Sequence, residues 1–99
     1  MKLLTKAIRK ALPELGATEG EGEAARIVVK FFDPCGSWTW YATEFDGEDI
    51  FFGLVDGWEK ELGYFSLREL QSYKGKFGIG IERDTAYRGH TLGQVMPAH

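Results

Sequence analysis

The stretch SWTWYATEFDGEDIFFGLV, residues 37–55, decides the fold. Two period-two segments, WTWYATEF and EDIFFGLV, flank Asp46-Gly47, a dipeptide that tight hairpins favour because both central residues need positive φ. The stretch therefore predicts two antiparallel strands. It also mixes Trp38, Trp40, Tyr41, Phe45, Phe51 and Phe52 with Glu44, Asp46, Glu48 and Asp49, so part of its aromatic surface is left as a candidate for binding.

Upstream, ARIVVKFFD (25–33) has the β-branched and aromatic content of a strand. DPCGS follows with Pro34 suited to the first central position of a type I turn and Gly36 to a left-handed position, predicting a three-residue hairpin loop. Downstream, DGWEK is a loop and ELGYF a fourth strand. Ser66-Leu67-Arg68-Glu69 is a capping box, which predicts a helix over 66–74, and GIGIERD (78–84) reads as an edge strand. At the N-terminus, Thr5 can cap a helix within residues 1–15, with Leu4, Ile8, Ala11, Leu12 and Leu15 on one side and Pro13 as its stop. Residues 17–24 form an acidic loop, and 85–99 an irregular tail. GEGEAA follows a helix and enters a β pattern, the reverse of a dinucleotide fingerprint. The sum is one α+β domain over 1–99: an antiparallel meander of four or five strands, an N-terminal helix, and a second short helix after the fourth strand.

With Asp46 and Gly47 as a two-residue loop, alternation places Ile27, Val29, Phe31, Tyr41, Ile50, Phe52, Leu54, Leu62 and Tyr64 on one face, the predicted core. The opposite face then carries Trp38, Trp40 and Phe51 with Arg26, Lys30, Glu44 and Asp49. In that register Glu44 opposes Asp49 with Arg26 beside it, Lys30 lies by Trp40, and Trp40 covers Gly53.

Charge is segregated along the chain. Seven acids, Glu44, Asp46, Glu48, Asp49, Asp56, Glu59 and Glu61, lie between residues 44 and 61 against Lys60 alone, while the whole chain carries −3. Such a block repels nucleic acid and attracts a basic protein surface. No apolar run is long enough to cross a bilayer and no signal-peptide pattern opens the chain, which predicts a cytoplasmic protein without a membrane partner.

Catalytic chemistry finds little to work with. Glu44 and Asp49 lie at an open hairpin end rather than in a desolvated cleft. Cys35, the one cysteine, excludes an internal disulfide and a cysteine-built metal site, and His90 with His99 gives too few ligands for zinc. No catalytic residue, cofactor or metal is predicted. Single-stranded nucleic acid stacked on Trp38, Trp40 and Phe51 is the alternative to a protein partner, and closure of a homodimer on that face is a third reading.

The run KFFDPCGSWTWYATEFDGEDIFFGLVDGWEKELGYFSLREL, with MKLLTKAIRKALPEL before it and GIGIERD after, resembles the small single-domain family named domain of unknown function 2958. The likeness extends to Asp84 and supplies no catalytic residue. It implies occurrence on bacterial plasmids, integrative elements and phages, and so an accessory role in element maintenance or in evading host defence. Together with the acidic block, this suggests a non-enzymatic binding protein that engages a host or element protein with a basic surface, for instance as an anti-CRISPR inhibitor.

Overall fold

The computed structural model describes residues 2–96. Five strands form one antiparallel sheet: β1 (Val29–Phe32), β2 (Thr39–Phe45), β3 (Ile50–Asp56), β4 (Lys60–Ser66) and β5 (Glu82–Arg83). Their spatial order is β4-β3-β2-β1-β5, so the first four strands meander and the fifth returns to pair beside β1. Helix α1 (Lys6–Ala11) precedes the sheet, α2 (Leu67–Ser72) follows β4, and α3 (Leu92–Val95) lies near the C-terminal end. The α+β meander predicted from the sequence is thus the fold.

Local chemistry explains the boundaries. Thr5 caps α1 by accepting from the Ile8 N–H at 3.1 Å, and the helix stops before Pro13, shorter than the 1–15 span expected. Ser66 caps α2 by accepting from the Glu69 N–H at 3.2 Å. The expected acidic loop instead winds into 3-10 turns over Glu19–Ala24. The GIGIERD strand shrinks to Glu82–Arg83: Ile81 is buried but Ile79 is exposed. Nor is the segment after residue 84 all irregular, since Thr91 and Gln94 form a capping box for α3 and Leu92 is buried. Residues 97–99 of the expected tail lie outside the described residues.

The registers differ from those alternation predicts, and the two loops are the reason. The β1–β2 loop is one residue longer than expected: Phe32 pairs with Thr39, and the Asp33 N–H donates to the Trp38 carbonyl at 3.0 Å. Gly36 does not take the left-handed conformation. A one-residue slip exchanges faces, so Phe31 stands opposite Trp40, and Lys30 opposite Tyr41 rather than Trp40. The β2–β3 loop is not two residues either. Phe45 pairs with Phe51, because the Asp46 carboxylate gathers the N–H groups of Glu48, Asp49 and Ile50 at 2.8, 2.8 and 3.0 Å and holds a wider turn.

A bulge at Thr43 completes the shift. Ala42 pairs with Gly53 but Glu44 with Phe52, leaving Thr43 as the extra residue. Its buried hydroxyl donates to the Phe52 carbonyl at 3.1 Å, which recovers one bond for the interrupted ladder. The bulge changes parity within β2: Phe45 joins the face of Ala42, and Glu44 turns to the other.

Both faces are therefore packed. The first carries Val29, Phe31, Ala42, Phe45, Phe51 and Phe65 under Leu3, Leu4, Leu12, Leu67, Leu70 and Ile81, with Trp40 and Val55 partly buried against them. Phe45 stacks on Phe51 at 4.5 Å, and Phe51 on Phe65 at 5.1 Å. The second carries Leu54 with Ala25, Ile27 and Leu92, flanked by Tyr41, Tyr87, Val95 and Met96. The single predicted core face is thus corrected. Tyr41 and Leu54 belong to the smaller second cluster, while Phe51, expected on the binding face, is fully buried in the main core.

Candidate functional site

The seven acids gathered between residues 44 and 61 do not form one surface. Asp46, Glu48 and Asp49 lie at the β2–β3 turn, whereas Asp56, Glu59 and Glu61 lie around the β3–β4 turn, at the opposite end of the seven-residue strand β3. That strand spans roughly 20 Å at about 3.3 Å per residue, well beyond the ~8 Å over which exposed charges sense one another at physiological salt.

Three of these acids hold the fold. Glu44 is 3% exposed and accepts from the Gly16 N–H at 2.7 Å, the Thr18 N–H at 2.9 Å and the Thr18 hydroxyl. Burial alone would push its carboxyl up, but these donors outweigh it and hold the group below the ordinary glutamate range. Glu44 is therefore not opposite Asp49, and neither the strand register nor the hydrogen bonds of Glu44 bring Arg26 to it: Arg26 forms a bridge with Thr91. Asp49 anchors α2, accepting from the Arg68 N–H and the Ser66 hydroxyl at 2.8 Å each, with the Arg68 guanidinium 3.7 Å away. Those bonds, the Arg68 N–H first, depress its carboxyl; the N–H groups of Asp49 and Glu48 do the same for Asp46. Lys30 pairs with Asp84 at 3.4 Å and lies over Tyr41 and Tyr87 rather than Trp40.

The aromatic candidates separate as well. Phe51 is interior, but Trp38 and Trp40 remain partly open, with ring centroids 6.0 Å apart. Because the 33–38 and 57–59 loops lie at the same end of the sheet, where Thr39 pairs with Asp56, Trp38 also meets Trp58 edge-on at 5.8 Å. Trp58 is 92% exposed. Gly57 makes this contact possible, since a Cβ there would lie 2.6 Å from the Trp38 ring.

Beside this cluster, α2 and the sheet enclose a pocket of about 350 Å³. Its walls are Trp38, Trp40, Phe65, Leu70 and Tyr73, and its polar groups come from Asp33, Ser66 and Glu69. Asp33, only 9% exposed, accepts from the Cys35 N–H at 3.0 Å and the Tyr73 hydroxyl at 3.3 Å. The carboxylate in turn pushes the Tyr73 hydroxyl above the ordinary tyrosine range. Among the described residues no lysine or arginine lines this pocket, and no ion pair engages Asp33 or Glu69.

Sequence reasoning selected Trp38 and Trp40 but missed Asp33, Trp58, Glu69 and Tyr73. Trp58 did carry a signal, as a large aromatic in the turn DGWEK with no alternating partner. Tyr73, three residues beyond Leu70 in helical spacing, carried a weaker one. Among the described residues, no three His, Cys, Asp or Glu side chains are placed to hold a metal ion, and no helix is long and apolar enough to cross a membrane. His99 lies outside the described residues.

The model of one protein family, described as protein of unknown function (DUF2958), matches residues 3–95. No curated protein and no solved structure matches the chain.

Proposed function

The chain belongs to the DUF2958 family, and we propose that it is a non-enzymatic binding protein whose partner is a protein segment displaying arginine or lysine. The observation that carries this reading is the pocket beside α2: the rings of Trp38, Trp40 and Tyr73 and the carboxylates of Asp33 and Glu69 line one recess that holds no cation of its own among the described residues. A guanidinium or ammonium entering it gains ring faces and a carboxylate together, with a cation–π contact worth about 2 kcal/mol once desolvated. Trp58, edge-on to Trp38, extends the surface outward, so a basic segment has a further contact beyond the recess.

The resemblance adds a setting, an accessory protein of a mobile genetic element, with an anti-CRISPR type inhibitor as the narrower version. Single-stranded nucleic acid is the competing occupant. Three neighbouring tryptophans suit base stacking, but Asp33 and Glu69 repel phosphate, the dominant source of such affinity.

A titration followed by tryptophan fluorescence separates the two. A short arginine–glycine peptide should produce a saturable change that Trp58→Ala and Glu69→Lys each weaken by about tenfold, equivalent to about 1.4 kcal/mol, without moving the unfolding midpoint. Absence of saturation at low salt, or saturation by oligothymidylate but not by the peptide, would reject the basic-partner reading.

A further inference from the structure

The sheet ends in one long open edge. β5 closes the other side with two residues, whereas β4 presents all seven of its own, and among the described residues no backbone group bonds to it from the side away from β3. On the second face of this edge Leu62 and Tyr64 are 47% and 68% exposed, and Tyr64 meets Phe52 at 5.1 Å. They continue the apolar lining of a groove of about 430 Å³ that includes Phe52, Leu92 and Met96. A bare edge with exposed apolar side chains is a template for another strand.

We propose that β4 pairs antiparallel with β4 of a second copy about a two-fold axis through Gly63, joining two sheets into one. Strand geometry selects this occupant and register. A two-fold axis perpendicular to the sheet keeps like faces together, so opposed residues must have the same parity. Centring on Gly63 is the symmetric register that pairs every residue of β4: Lys60 opposes Ser66 of the second copy, Glu61 opposes Phe65, and Leu62 opposes Tyr64. Two Leu–Tyr pairs then flank the axis and meet Phe52 of each copy, covering the exposed apolar side chains with each other. No like charges stand opposite. Centring on Leu62 instead would break both Leu–Tyr pairs and face Lys60 with Tyr64, and centring on Glu61 would oppose two glutamates. Phe65 and Ser66 of this strand also line the Trp38–Tyr73 pocket, but Leu62 and Tyr64 lie on the opposite face of the sheet, so this inference does not rest on the basic-partner reading.

Sedimentation velocity over a concentration series tests it. The wild-type chain should move with rising concentration from 11.2 kDa toward twice that mass. Leu62→Glu with Tyr64→Glu should remain monomeric over the same range with an unchanged circular dichroism spectrum, since both side chains are exposed and the two new carboxylates face each other across the axis. Leu62→Lys with Tyr64→Glu should restore the dimer, because each introduced lysine then faces an introduced glutamate. A wild-type chain that stays monomeric at every concentration, or a double-glutamate variant that still dimerises, would overturn the proposal. Failure of the lysine–glutamate pair to restore association would overturn the Gly63-centred register.

Discussion

Glu44 on β2 accepts both the backbone N–H and the hydroxyl of Thr18, 26 residues earlier, and so ties the segment after α1 to the middle of the sheet. The Thr43 bulge makes this possible by turning Glu44 toward the face opposite Phe45. A carboxylate that reads in sequence as part of an acidic surface is thus an internal acceptor for three donors.

Glu44→Gln should destabilise the fold by about 1–3 kcal/mol, because the amide presents an NH₂ group to donors that need an acceptor. The folded chain holds the Glu44 carboxyl below its ordinary range, so its contribution is fully present above that range and is lost as pH falls from it through the lower value of the folded state. Thermal unfolding followed from neutral to acidic pH should therefore show a smaller decline for Glu44→Gln than for the wild type.

Charge reversal at the β2–β3 turn should sort by hydrogen bonding rather than by charge. Asp46→Lys and Asp49→Lys remove the acceptors of the turn and of the α2 start, and should lower the unfolding midpoint. Glu48→Lys, on an exposed side chain, should leave it within experimental error. Equal effects at the three positions would show that net charge governs stability here.

Gly53→Ala should be the most damaging small substitution in the sheet. A Cβ at this position would sit 1.8 Å from the Tyr41 carbonyl oxygen, a backbone atom that cannot rotate away. The loss should reach or exceed about 3 kcal/mol, the upper part of the usual range for overpacking, and a denaturant melt of the soluble fraction measures it.

Phe77→Asn should stabilise the protein. Phe77 has φ +60° within the 3-10 turn Lys76–Gly78 and is 91% exposed, so the substitution removes backbone strain without removing burial. A left-handed conformation costs an ordinary residue about 1–2 kcal/mol, and asparagine tolerates it better. A gain of about 0.5–1 kcal/mol in a denaturant melt is expected.

Most elements were legible because their signals are local. Period-two runs mark β2 and β3, Thr5 and Ser66 are caps whose hydroxyls bond within one turn, and Asp46-Gly47 marks a reversal. β5 was less legible: two residues carry no period, and the strand exists because it pairs with Phe31 and Phe32. The pocket was half legible. Trp38 and Trp40 stand two residues apart at the start of β2, whereas Asp33 and Tyr73 meet across 40 residues of chain.

The sequence by itself determined that β2 and β3 form a hairpin, that helices flank a meander, and that the chain carries more aromatic surface than one face requires, because each follows from neighbours within a few residues. Only the tertiary structure decided which aromatics remain available. One added residue in the Asp33–Trp38 loop, the turn gathered by Asp46 and the bulge at Thr43 exchanged faces along the strands, burying Phe51 and leaving Trp38 and Trp58 at the open end. Side chains alternate with every residue, so a face assignment depends on loop length and bulges, and those are set by contacts that a local pattern does not contain.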